Sequence, residues 1–378
     1  MDQLNVADDR PIELFHWFHE HPELALQEYE TTEKIKTVLR AHEIEILPSP
    51  LKTGVFAKIN GKQAEPLIAL RADIDALPIQ EETGLSYVSR ATGRMHACGH
   101  DFHLTNLLAA AIELKRKEKQ LNGSVLLIFQ PAEEVEHGAD KVVATGILAG
   151  VQAIFGLHVN AEMPTGVIGI KAGPLNAAVD RFFVTFKGKG CHAAHPDEGN
   201  DVIVAAGEFI VSAQSIVSRN VNAFASAVVS ITHLEAGKTW NVLPEAALLE
   251  GTVRSFDDQT REKIKDRLAD MTRGIAVTNR IGGDFKWVDG APAVVNDPEL
   301  TELVKAVAEK NSFPLAELKP SMGGEDFSSY QQVIPGAFFN IGVGSDFPVH
   351  NGRFQVDVRA FDHATPMFVN LVEAYFAK

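Results

Sequence analysis

The chain has only two cysteines in 378 residues, Cys98 and Cys191, and two thiols so far apart make no disulfide framework. It also lacks a basic run. Lys and Arg total 35 against 50 Asp and Glu, a formal charge of −15. Such a surface repels nucleic acid and anionic membranes, so neither is an expected partner. No uninterrupted apolar run approaches the ~18 residues that mark a transmembrane helix. The first 13 residues are charged and contain no apolar signal region. Internal repeats and low-complexity stretches are missing as well. These absences point to a soluble protein in the reducing cytoplasm.

What is present is material for a full core. The hydrophobic share is 45%, and the length suggests about two domains. Residues 11–43 read as helical with a break near His21-Pro22. Strand-like runs follow at 53–60 and 66–72, then an amphipathic helix at 102–117, a buried strand at 123–130, part of a helix at 139–144 and a strand at 153–158. This alternation predicts an α/β sheet with helices on both faces. Three of its strands run into polar groups: Asp73 and Asp75, Glu133 and Glu134, and His158. Ligands in open α/β sheets bind beyond the carboxyl ends of strands, so parallel pairing would bring these groups to one edge.

The middle of the chain changes pattern. Strands at 180–187, 226–234, 246–255 and 284–288 and helices at 201–217 and 258–277 follow in the order β-α-β-β-α-β, a ferredoxin-like arrangement. Helix 298–311, strand 337–341 and helix 361–376 then resume the first pattern. The expectation is a discontinuous α/β/α domain with a central mixed sheet, residues 1–175 and 290–378. An inserted ferredoxin-like α+β domain would cover residues 176–289.

The densest chemistry is Met95-His96-Ala97-Cys98-Gly99-His100-Asp101, a thiol, two imidazoles and a carboxylate in seven residues. Thiolate and imidazole are preferred ligands of zinc and related divalent metals. A lone Cys-x-His is equally a buried thiol beside a helix cap. Glu133 and Glu134 sit side by side, and neighbouring side chains on extended or turn backbone point apart. One carboxylate could then bind metal while the next faces a water it deprotonates; a solvated acidic loop has the same appearance. His158 alone also fits a core histidine. His350, between Pro348 and Gly352, sits on a loop and is uninformative alone. Glu325 and Asp326 have the placement of helix caps. Asp73 and Asp75 could orient metal ligands from behind or merely begin a loop. Cys191 could be a ligand but suits packing better.

Taken together, these segments resemble the metal-dependent N-acyl-amino-acid amidohydrolases. This group contains hippurate hydrolases, auxin-conjugate hydrolases, and N-acetyl-diaminopimelate and N-acetyl-cysteine deacetylases, within the wider zinc aminoacylase and carboxypeptidase superfamily. The matching segments are His21-Pro22-Glu23-Leu24, residues 71–78, 95–101, 129–134, 155–158, 188–194 and 218–220. They continue with Asn241-Val242-Leu243-Pro244, residues 251–254 and 323–327, in order along nearly the whole chain. The resemblance implies that Cys98, His100, Glu134, His158 and His350 hold two divalent ions, with Glu133 as general base and acid. It implies that the discontinuous domain is catalytic and the inserted one a lid or dimerisation domain, and that His192, on this lid, polarises the scissile carbonyl, acting within its own chain or across a homodimer formed by the lid. Asn241 and Arg254 would hold the substrate, Arg254 taking its carboxylate. The ions would be zinc or manganese, with nickel or cobalt also compatible.

This chain departs from the wider superfamily in three places. Asp73 stands where a metal-binding histidine is usual, Cys191 where glycine is commoner, and His195 adds an imidazole beside the lid motif. The expected reaction is hydrolysis of a small N-acyl amino acid. A dipeptidase or carboxypeptidase would need the same groups. A closed structural zinc site would need no spare carboxylate, so the Glu133–Glu134 pair favours the enzyme. A binding module on the same fold is a further alternative.

Overall fold

The computed structural model describes residues 10–135 and 137–377. Residues 1–9, which fall within the stretch inspected for a signal region, lie outside the described residues, as do Glu136 and Lys378. The described chain forms two compact units. One comprises the residues up to Gly173, Val295–Lys319 and those from Asp326 onward; the other comprises Pro174–Val294 and Pro320–Glu325.

The first unit is built on an eight-stranded mixed sheet. Its spatial order is Glu45–Leu47, Val55–Ile59, Ser124–Gln130, Leu67–Asp73, Val151–Asn160, Gly336–Gly342, Ile168–Ile170 and Leu315–Glu317. Ser124–Gln130, Leu67–Asp73, Val151–Asn160 and Gly336–Gly342 are mutually parallel, as the alternating pattern predicts. Ser124–Gln130 is buried along its whole length, the condition of a parallel strand covered on both faces. Pairing sets Asp73 opposite Gln130 and Asn340 opposite His158, so the chemistry-bearing strand ends gather at one edge.

Helix His100–Arg116 packs its Phe102, Leu104, Leu107 and Leu108 into the core of this unit. The N-terminal helical region is two helices, Pro11–Glu20 and Tyr29–Ala41, and the break extends over the eight residues between them rather than sitting at His21-Pro22 alone. Helix Pro298–Lys310 starts at a proline, and the Asp297 side chain accepts the Leu300 N–H.

The second unit has a four-stranded antiparallel sheet in the order Ala227–Ala236, Ala246–Ser255, Ala178–Lys187, Gly282–Val288. With helices Val202–Arg219 and Asp258–Asn279 this is the ferredoxin-like β-α-β-β-α-β arrangement. Helix Val202–Arg219 is long and apolar enough to cross a membrane by length and composition. It instead buries Val202, Ala205, Ala206, Phe209, Ala213 and Ile216, one helical face, in the core shared with Phe182 and Leu249. Asp201 caps it by accepting the N–H groups of Ile203 and Val204.

Candidate metal centre

Cys98 precedes the helix His100–Arg116 by one glycine. Gly99 has φ +82°, and a Cβ there would lie 2.5 Å from Val159 Cγ2. Only glycine makes this turn against the neighbouring strand, and the turn brings the thiol beside the first residue of the helix. Ligand atoms of Cys98, His100 and His158 then lie within 4.8 Å of one another. Cys98 Sγ is 3.4 Å from His158 Nε2. His158 donates from Nδ1 to the Val159 carbonyl at 2.7 Å, which leaves Nε2 as the ring nitrogen facing the thiol.

A second group, Cys98, Glu134 and His350, shares the thiol. His350 has a left-handed φ of +63°, and its N–H donates to the Ala97 carbonyl at 2.8 Å. That bond ties the loop to the cysteine segment and sets His350 Nε2 3.5 Å from Glu134 Oε1. His100, Glu133 and Glu134 form a third group at the same spacing. Asp75 orders this loop: its two oxygens accept the N–H groups of Glu133 and Glu134, each at 3.0 Å.

Asp73 faces a different set of partners. It accepts from Arg71 Nη1 at 2.7 Å and from His103 Nδ1 at 2.6 Å, and lies 3.8 Å from His100 Nε2. His103 Nε2 accepts the Val159 N–H at 2.9 Å, which fixes the proton of the ring on Nδ1. Burial lowers the pKa of His103 to about 4, against the pull of Asp73, so the ring is neutral.

The buried charges lean on one another. Burial alone would raise Asp73, but the charges of His100, Arg71 and His103 hold it well below the usual carboxylate range. His100 is pushed well above the ordinary histidine value by Asp73, Asp75 and Cys98, against burial. Burial pushes the Cys98 thiol up, partly offset by His100. Against burial, the nearby His350 lowers Glu134, and Glu134 in turn raises His350.

Three buried atoms at the centre of this arrangement, His100 Nδ1, His100 Nε2 and Glu134 Oε1, have no hydrogen-bond partner among the described residues. Buried polar groups are ordinarily satisfied, so their convergence with a thiol and further imidazoles fits a divalent cation site. A cation would also replace the protons these groups otherwise hold.

Eight of the sequence-derived candidates thus come together in the first unit: Asp73, Asp75, Cys98, His100, Glu133, Glu134, His158 and His350. His192, Asn241 and Arg254 are in the second unit, as are Cys191 and Glu325. His192 is exposed on the two-residue strand Cys191–His192, opposite Val242, and its Nδ1 accepts the Ala194 N–H at 3.1 Å. The Asn241 carbonyl accepts the Ala193 N–H at 3.0 Å, placing Asn241 beside the His192 turn. Arg254 is on the strand Ala246–Ser255, opposite Val179 and Val228. Cys191 is partly exposed rather than packed in the core.

His103 and His19 were not singled out from sequence, and Asp326 was read only as a helix cap. His103 follows His100 by three, a same-face helical spacing that was available as a signal. Asp326 does not cap the helix it precedes, Phe327–Gln331. Its carboxylate instead accepts from Arg71 Nη2 at 2.7 Å, from Gln130 Nε2, and from the N–H of Ala139 in the first turn of helix Gly138–Ala144. His19 bridges Asp101 at 2.7 Å and Glu81 at 3.2 Å. Such long-range partners leave no local pattern.

The donor set and its adjoining carboxylate define a protein class, one that can hold divalent cations next to a proton acceptor at the edge of a mixed α/β sheet. The chain belongs to peptidase family M20/M25/M40, whose sequence profile matches residues 69–374, and it is an enzyme acting on amide bonds. It is 46% identical over 354 residues to N-acetylcysteine deacetylase of Bacillus subtilis, covering 93% of each chain. It is 34% identical over 365 residues to thermostable carboxypeptidase 1 of Saccharolobus solfataricus, covering 94% of this chain and 93% of the relative. A crystal structure of Bacillus subtilis YXEP protein, described as a dinuclear metal-binding peptidase of family M20, superimposes with a TM-score of 0.89. The two are 42% identical, with 97% of this chain and 98% of that one covered.

Proposed function

We propose that this enzyme hydrolyses the amide of a small N-acyl amino acid, with N-acetyl the preferred acyl group, releasing a carboxylate and a free amino acid. The observation that carries this reading is the placement of Glu133 next to Glu134 and His100, in a cluster that shares donors with Cys98, His158 and His350. A structural metal site has no use for that extra carboxylate.

In this reading Cys98, His100, Glu134, His158 and His350 hold two divalent ions, with zinc or manganese the first candidates and nickel or cobalt compatible. When bound, the ions polarise the carbonyl and lower the pKa of water. Glu133 accepts a proton from the attacking water as the C–O bond forms. It returns that proton to the leaving nitrogen as the C–N bond breaks. Asp75 holds the Glu133–Glu134 backbone in place through two hydrogen bonds. His192 stabilises the negative charge that develops on the carbonyl oxygen. Asn241 and Arg254 bind the amino-acid part, with the Arg254 guanidinium on its carboxylate.

The second unit also supports a homodimer. Ala227–Ala236 is an edge strand with Leu234 exposed, and helix Val202–Arg219 exposes Ile203, Val204 and Val211. The charge balance and the few cysteines support a cytoplasmic protein without nucleic-acid or membrane partners. The carboxypeptidase relative keeps a second reading in view, cleavage of a peptide from its carboxyl end. A substrate panel separates the two. N-acetyl and N-benzoyl amino acids, N-acetyl-diaminopimelate and unblocked dipeptides are each assayed with zinc, manganese, nickel and cobalt. The proposal expects N-acetyl amino acids to have the highest kcat/KM; preference for unblocked dipeptides would contradict it.

A further inference from the structure

Ala132, immediately before Glu133, has a left-handed φ of +60°. That conformation is unfavourable for a residue with a Cβ and persists only where the surroundings enforce it. Its N–H donates to Glu28 Oε1 at 2.9 Å, and both residues are fully buried. Glu28 is the residue just before helix Tyr29–Ala41, yet its side chain makes no capping bond to that helix. It reaches a loop more than a hundred residues away.

Three successive amides are therefore held by two buried carboxylates: Ala132 by Glu28, and Glu133 and Glu134 by Asp75. The carbonyl side of the same loop is closed off as well. A Cβ on Gly138 would lie 2.0 Å from the Pro131 carbonyl oxygen and 2.7 Å from that of Ala132. The backbone before Glu133 is thus fixed from two directions, and among the described residues Glu28 supplies the side-chain bond to the strained residue itself.

We infer that Glu28 is a positioning residue for the reaction: it holds Ala132 in the left-handed conformation and so aims the Glu133 carboxylate. This rests on the reading of Glu133 as general base. Small errors in the placement of a catalytic group are expensive, on the order of 10²-fold in rate for about 1 Å.

The test combines kinetics with backbone hydrogen exchange. Glu28→Ala is expected to lower kcat by roughly 10- to 100-fold while KM changes little. Bound metal, measured by mass spectrometry of the purified protein, should stay at the wild-type level. Exchange in the 131–134 segment of the metal-free protein should speed up. Glu28→Gln keeps an acceptor oxygen and should recover most of the lost rate. Adding Ala132→Gly to Glu28→Ala should recover part of it, because glycine adopts the positive φ without help. Glu28→Asp, which draws the carboxylate back by one methylene, should resemble Glu28→Ala and replaces it if the alanine variant does not fold.

A kcat within twofold of wild type in both Glu28→Ala and Glu28→Asp, or unchanged exchange at 131–134, would overturn the inference. So would loss of metal in parallel with loss of rate. Glu133→Gln measured alongside separates the two readings. If that variant stays active while the Glu28 variants slow and loosen the loop, the base assignment fails, and Glu28 restrains the loop without aiming a base. If Glu133→Gln is inactive and the Glu28 variants are normal, the reverse holds.

Discussion

His158 donates its Nδ1 proton to the carbonyl of the next residue, Val159, at 2.7 Å. The bond is short-range and costs little to form, yet it decides the chemistry of the other ring nitrogen. Nε2 is left as the ring nitrogen facing the thiol, 3.4 Å from the Cys98 sulfur. From the neighbouring peptide unit, Val159 gives its N–H to His103 Nε2 at 2.9 Å. One strand residue therefore sets the proton positions of two imidazoles.

Cys98 should report on occupancy of this centre. It is buried and its thiol is held protonated in the metal-free protein, whereas Cys191 is partly exposed. Iodoacetamide labelling followed by peptide mass spectrometry should modify Cys191 in both forms. Cys98 should label slowly in the metal-free protein and still more slowly once metal is added. Equal labelling of Cys98 in the two forms would count against its being a ligand.

Glu133→Gln should leave the loop bonds from Asp75 and the metal content intact, because the amide side chain is nearly the same size. The rate should fall by ~10²–10⁴, the usual contribution of a general acid–base group. Steady-state kinetics on an N-acetyl amino acid checks this, and near-normal turnover would rule out the assignment.

His192→Ala should reduce kcat by ~10²–10³, the typical effect of removing an oxyanion donor. Metal content should not change, since His192 belongs to the second unit and the donor cluster to the first. A silent substitution would leave His192 as an exposed turn residue with no part in the chemistry.

His19 gives the protein a pH-dependent contribution to stability. Burial opposes its charge, but hydrogen bonds to Asp101 and Glu81 prevail and raise its pKa from 6.5 to about 9. A raised histidine stabilises the fold fully below the unfolded value. That contribution is lost as pH climbs from about 6.5 through about 9, and a shift of this size corresponds to about 3 kcal/mol. The stability gap between wild type and His19→Gln, from urea unfolding, should be large at pH 6 and shrink by pH 10. A gap that does not change with pH would contradict a charged His19.

Much of the architecture was legible because it is written in local pattern. The apolar run at Ser124–Gln130 and the strand–helix order of the second unit need no distant partner to be recognised. The strands Glu45–Leu47, Ile168–Ile170 and Leu315–Glu317 were not read, since three residues are too few to show a period. The donor residues were visible by type, Cys98 and His100 above all, whereas their grouping depends on sheet register. Glu28 and Asp326 show the limit most clearly. Both precede helices, where an acid ordinarily caps, and both side chains instead bond backbone far along the chain. Nothing in the local sequence distinguishes those two uses.

The central claim is that paired divalent ions and Glu133 hydrolyse the amide of an N-acyl amino acid. It is tested most directly by titrating zinc or manganese into chelator-treated protein while following release of the free amino group from an N-acetyl amino acid. The account predicts no hydrolysis without metal and a rise that levels off at two ions per chain. Hydrolysis that survives complete metal removal, or protein that binds its metal and releases no amine, would contradict it.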